Sequence, residues 1–238
     1  MASKSGPDII EDGLVLCLDA ASKRSYLGTG TTWTDLKEGN SGTLTNGPTF
    51  DAGNGGSIVF DGTDDYVDIS SFNFFTYCDY NKPFTMRVIT KFTSNSNQQI
   101  FGHQARSGSY GGIGLQIVGQ KFRLGMFKDL SNNRILDSST LPLNQVYDLV
   151  ATFNGSDLST GFGLYVNGIS NLATTSNSGS ITSSVEDASS GPYVGFRGVP
   201  DNRDLLFSGG LYSCSIYNRA LTADEILQNY LSTKERYS

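Results

Sequence analysis

One histidine, one tryptophan and three cysteines in 238 residues leave little for metal or nucleophile chemistry. A zinc site needs clustered His and Cys at short spacings, and His103, Cys17, Cys78 and Cys214 are scattered. Three cysteines are an odd number and too few for a disulfide framework. No G-x-S-x-G elbow accompanies the lone histidine, so a serine or cysteine nucleophile has no partner in sequence context. Basic clusters are also missing: 17 Lys and Arg against 23 Asp and Glu give a net charge of −6, which argues against a nucleic-acid partner. No apolar run approaches the roughly 20 residues of a membrane span. The opening MASKSGPDIIEDG has no signal-peptide core, so synthesis and retention in the cytosol are expected unless another route carries the protein out.

What is abundant is turn chemistry. Glycine occurs 28 times, with frequent Ser, Thr and Asn, and only 37% of residues are hydrophobic. Apolar residues alternate with polar ones in short runs, the period of strands with two different faces. Leu14, Leu16 and Leu18 share one face of a strand over 14–19, and Phe84, Met86 and Val88 one face over 84–92. Strands over 113–118 and 121–127 meet at Gly119-Gln120, and Asn167-Gly168 supplies the positive φ angles of a type I′ hairpin. Residues 21–50 read as a long connection anchored by Trp33, and 174–190 as a Ser/Thr/Asn-rich loop. A last strand around Leu211–Tyr217 runs into a short helix. Thr222 and Glu225 form a capping box there, flanked by a Leu221/Ile226 staple. The expectation is an all-β, two-sheet antiparallel jelly-roll sandwich with one short C-terminal helix. It consists of an N-terminal arm over 1–12 and one domain over 13–238.

The run IYNRALTADEI from Ile216 to Ile226 resembles the terminal segment of concanavalin A-like lectin/glucanase domains of the laminin-G-like type. Further matches follow in family order. They are GLVLCLDA from Gly13, WTDL from Trp33, GTLTNGPTF from Gly42, SIVFDGTDDYVDI from Ser57, FTMRVITKF from Phe84, VYDLVATFNG from Val146 and LYVNGI from Leu164. The resemblance implies that the first and last strands pair. It places Cys17 beside Cys214, either as buried free thiols or as a cross-strand disulfide.

Glucanases of this fold use paired carboxylates on one strand. The five glutamates here, Glu11, Glu38, Glu186, Glu225 and Glu235, share no strand, so no enzyme activity is expected. Asp61, Asp64 and Asp65, with Asp68 nearby, form either a bonded turn or a calcium site; no other cofactor is implied. Two polar loops could hold a ligand, one with Arg106 and Tyr110, the other with Arg197, Asn202, Arg203 and Asp204. Ile9 and Ile10 on the arm are candidate assembly contacts.

Two functions follow from the resemblance. The first is a non-enzymatic virion structural protein, similar to free-standing laminin-G-like proteins of tailed phages. It would be a capsid decoration or tail/baseplate accessory with other virion proteins as partners and the virion as its location. The second is a lectin-like module for host surface glycan.

Overall fold

A computed structural model describes residues 8–106, 110–186 and 191–237. The first strands are β1 (Leu14–Asp19), β2 (Thr32–Trp33), β3 (Gly42–Thr45), β4 (Thr49–Asp51), β5 (Ser57–Asp61) and β6 (Tyr66–Asp68). One helical turn, α1 (Phe74–Tyr77), precedes β7 (Pro83–Phe92), β8 (Gln98–Gln104), β9 (Gly112–Val118), β10 (Lys121–Asp129), β11 (Asn132–Thr140) and β12 (Tyr147–Asn154). Then come β13 (Phe162–Val166), β14 (Ile169–Ser170), β15 (Leu172–Ser178) and β16 (Tyr193–Val194). The chain ends with β17 (Arg197–Val199), β18 (Asn202–Asp204), β19 (Ser208–Tyr217) and the helix α2 (Ala223–Thr233).

Two antiparallel sheets face each other. The first runs β14-β13-β12-β7-β19-β5-β4, with β1 also paired to β19. The second runs β15-β11-β10-β9-β8-β16-β6-β3-β2. Alternation explains the core between them: Leu16, Leu18, Phe84, Met86, Val88 and Ile216 from one sheet meet Phe101, Leu115, Leu124 and Leu136 from the other, all essentially inaccessible. Trp33 is fully buried, as expected of an anchor for the 21–50 connection.

Some segments depart from the expectation. Residues 174–178, the start of the stretch read as loop over 174–190, belong to the edge strand β15, exposed along its whole length. An edge strand with solvent on both faces needs no apolar alternation, so periodicity cannot reveal it. The 21–50 connection holds three short strands, β2, β3 and the start of β4, paired within the sheets.

The outer face of the first sheet is closed by α2. Ile226, Asn229 and Thr233, spaced three and four apart, are its buried stripe. Beneath it Arg87 and Asp148 form a bidentate pair at 2.9 and 2.7 Å, and Arg87 also donates to Thr233 Oγ1 at 2.7 Å. The capping box is present as expected. Glu225 additionally binds Arg219, whose guanidinium reaches Asp12 at 2.8 Å.

That last contact belongs to the arm, of which residues 1–7 lie outside the described residues. Ile10 N donates to Asn229 Oδ1 at 2.7 Å and Gln228 Nε2 to Asp8 O at 2.9 Å. Ile9 and Ile10 are half-buried against the cluster of Leu14, Cys17, Val150, Tyr217, Leu221 and Ile226. The two proposed assembly isoleucines thus pack on their own helix.

All three cysteines are free and buried. The first and last strands do pair, but in a register that sets Cys17 opposite Ser215 and Leu18 opposite Cys214. Cys17 packs under α2 while Cys214 belongs to the core between the sheets. Two thiols on opposite faces of a sheet cannot bridge, which removes the disulfide alternative.

Candidate functional site

The outer face of the second sheet carries the site. Its register aligns three cross-strand rows over β8, β9, β10, β11 and β15. The first row is Gln99, Gln116, Arg123, Asp137 and Thr174. The second is Gly102, Gly114, Gly125, Ile135 and Ser176, and the third Gln104, Gly112, Phe127, Asn133 and Ser178.

The polar groups in these rows are fixed to one another. Gln116 Nε2 donates to Gln104 Oε1 at 2.8 Å and to Gln99 Oε1 at 3.3 Å, and Gln99 Nε2 donates to Phe196 O at 3.0 Å. Arg123 and Asp137 make a bidentate pair at 2.7 and 2.9 Å. Gln104 Nε2 is buried and, among the described residues, has no hydrogen-bond partner. The glycines decide what lies above them. A Cβ on Gly125 would fall 2.6 Å from Phe127 Cε2, and one on Gly114 would fall 2.7 Å from Gln99 Oε1. Bare backbone therefore lets the half-buried Phe127 ring lie against the sheet beside the polar row.

The β17–β18 hairpin stands at one side of this face, held by Gln99 N donating to Leu205 O at 2.7 Å. Arg197 and Asp204 are directly opposite in its register and pair bidentately at 2.8 and 2.7 Å. Arg106, from the end of β8, bonds Asn202 Oδ1 and approaches Asp204 at 3.5 Å. Tyr110, at φ 58°, places its ring 5.8 Å from the Arg197 guanidinium. Five of the six expected ligand residues thus converge, although residues 107–109 of their loop lie outside the described residues. Arg203 points elsewhere. It donates to Pro200 O at 2.6 Å, covers the Tyr66 ring at 6.0 Å and stands 4.0 Å from Asp64.

Arg203 thereby meets the acidic corner. Ligand atoms of Asp61, Asp64 and Asp65 lie within 4.8 Å of one another. Asp61 accepts from Thr63 N at 2.7 Å and Asp65 from Asp61 N at 3.0 Å. Burial, reinforced by its two acidic neighbours, holds Asp65 above the usual carboxylate range. Three carboxylates suit a hard cation, yet the turn's own N–H groups and Arg203 already engage each of the three. Asp68 stands apart and accepts from Ser70 N at 2.8 Å.

Sequence reading missed the glutamine row and the Phe127 floor. A signal was there: Gly112, Gly114 and Gln116 alternate with Ile113, Leu115 and Ile117, a strand apolar on one side and stripped or polar on the other.

With this architecture in view, the class is settled: the chain belongs to the concanavalin A-like lectin/glucanases superfamily, whose laminin-G-like family model matches residues 61–227. No curated protein sequence matches it. Among solved structures it is similar to a mutant Trypanosoma rangeli sialidase displaying trans-sialidase activity, at TM-score 0.66 and 16% identity, over 95% of this chain and 34% of that one. The same sialidase in complex with sialic acid aligns at TM-score 0.64 and 16% identity, over 95% and 34%. The chain therefore spans about a third of these sialidases. Domain 4 of AbnA, a GH43 extracellular arabinanase from Geobacillus stearothermophilus, was solved in complex with arabinotriose. It aligns at TM-score 0.63 and 16% identity over 93% of this chain and 100% of that domain.

Proposed function

We propose that the chain is a non-enzymatic glycan-binding module acting through the outer face of its second sheet. The observation that carries this reading is the Phe127 ring laid over Gly125 beside the Gln116–Arg123–Asp137 row. Sugars offer an apolar C–H face to an aromatic ring and hydroxyls to planar polar groups, and both are supplied here on a rigid sheet. The family and the arabinotriose-bound neighbour support it. The non-enzymatic part is supported by the glutamates: Glu225 is committed to the cap, Glu38 accepts from Tyr77 OH, and Glu11 pairs with Lys37.

A glycan array followed by titration calorimetry tests it. Phe127→Ala is expected to weaken binding by about tenfold, the value of one aromatic contact of roughly 1.4 kcal/mol. Arg197→Ala, which removes the support of Tyr110, should weaken it as well. An array without a saturable ligand, or a Phe127→Ala variant that binds like the parent, overturns the proposal.

The narrower reading, a virion accessory of a tailed phage binding other virion proteins or host glycan, rests on analogy among free-standing laminin-G-like proteins. It needs a docking element, and the described part of the arm is engaged with its own helix. Copurification with particles is its test.

A further inference from the structure

We infer that a cavity at the rim of the sandwich is a second subsite, for one uncharged sugar residue; this rests on the glycan-binding reading above. The cavity measures about 330 Å³ and is lined by Ser70, Phe72, Asn73, Phe75, His103 and Pro192. It lies where the ends of β6 and β8 meet α1 and the start of β16. Its volume sits at the lower end of the roughly 300–1,000 Å³ of small-ligand sites.

The lining selects the class of occupant. Among the described residues, neither Lys nor Arg lines the cavity, and a single carboxylate, that of Glu186, does. An anionic group would meet no Lys or Arg among the described lining residues and would face that carboxylate. A purely apolar occupant would desolvate the hydroxyl of Ser70 and the amide of Asn73 without replacing their hydrogen bonds. A neutral ring bearing hydroxyls meets both demands, its C–H face on the narrow exposed edge of the largely buried Phe75 and its rim on the polar groups. Asn73 occupies the N-cap of α1 yet makes no side-chain cap, so its amide is not spent on the helix. The His103 ring is held in place by Phe75, 4.5 Å away, and Phe74, 5.9 Å away.

The cavity also neighbours the first site along the chain, through the end of β8. His103 and Arg106 are three residues apart, at most about 11 Å of extended chain. A short oligosaccharide on the Arg106–Tyr110 side of the sheet can therefore pass over the rim and place its next ring against Phe75.

His103 is the chain's single histidine, so its imidazole signals in an NMR spectrum need no assignment. Titration of the full chain with a neutral oligosaccharide taken from the array should shift them in step with saturation. Asn73→Trp, at an exposed position on the cavity mouth, should abolish that shift. It should also remove the roughly tenfold affinity gained on lengthening the oligosaccharide, with the affinity for the shorter fragment unchanged. Ser70→Trp on the same rim repeats the test should the first variant fold poorly. Saturable binding with an unmoved His103 signal, or rim variants that bind long and short oligosaccharides as the parent does, overturns the subsite and leaves the glycan-binding module standing. Failure of every array glycan to bind the parent chain overturns both.

Discussion

At the scale of single residues, the face on which a side chain falls decides its chemistry more than its neighbours in sequence do. Cys17 and Cys214 lie on adjacent strands, yet the pleat sends one under α2 and the other into the core. Burial is the largest cause pushing the Cys17 thiol up to about 12, and it raises Cys78 and Cys214 as well. A thiol held protonated and out of reach is a poor nucleophile. The native protein should therefore show no thiol reactive to an aromatic disulfide reagent at pH 8, and three after denaturation without reductant. Fewer than three on unfolding would mean that a bridge had formed. Phe127 makes the same point at the surface: its ring is available because the strand carries glycine, not a side chain, two residues before it.

Among the elements, α2 is the one the sequence spells out most fully, because its start is encoded in four adjacent residues. Thr222 accepts from Glu225 N at 3.3 Å, and Glu225 Oε2 accepts from Thr222 N at 2.8 Å. The Arg219 side-chain hydrogen bond first, and the Thr222 N–H with it, lower the Glu225 carboxyl to about 2 from an ordinary value of 4.5. A carboxyl whose folded pKa is depressed contributes stability above its unfolded pKa and loses it as pH falls through the folded one. Glu225→Gln should therefore cost about 1 kcal/mol near neutrality. The difference from the parent should shrink between about pH 4.5 and pH 2 and then vanish, as read from urea unfolding at a series of pH values. A difference that persists at pH 2 would assign the effect to packing. β19 was legible by the same local logic, through clean alternation between two buried environments. β8 was not, because its pairing slips between Gln99 and Phe101, so Gln99 and Gln104 reach the same face although their numbers differ in parity. β15, polar after Leu172 and Ala173 and exposed throughout, carried no periodic signal at all. The hairpin half of the site could be anticipated from its polar loop residues. The sheet half could not, since its rows exist only once five strands are in register.

For the molecule as a whole, the two sheets have divided their outer faces between different tasks. The first sheet's is covered: α2 lies on it, the described arm residues 8–12 lie along α2, and a buried Arg87–Asp148 pair is locked beneath, whose disruption would strand a charge. The second sheet's is left as a platform of fixed polar groups and one aromatic ring. A platform of this kind works only if the strands beneath it hold their register, so the cover on the far side serves the proposed binding face through the shared core. Removal of residues 2–12 tests that coupling. It takes away the Ile10–Asn229 and Asp8–Gln228 bonds, the Arg219–Asp12 pair and the packing of two half-buried isoleucines. The loss should be roughly 2 kcal/mol from burial. At about 2–4 °C per kcal/mol for a domain of this size, the melting temperature should fall by about 4–8 °C in a single transition. Glycan affinity measured well below that temperature should be unchanged, because none of the described arm residues contacts the second sheet's outer face. An unaltered melting temperature would show that the arm contributes nothing to its own domain, and would return it to the role of a tether open to a neighbouring subunit.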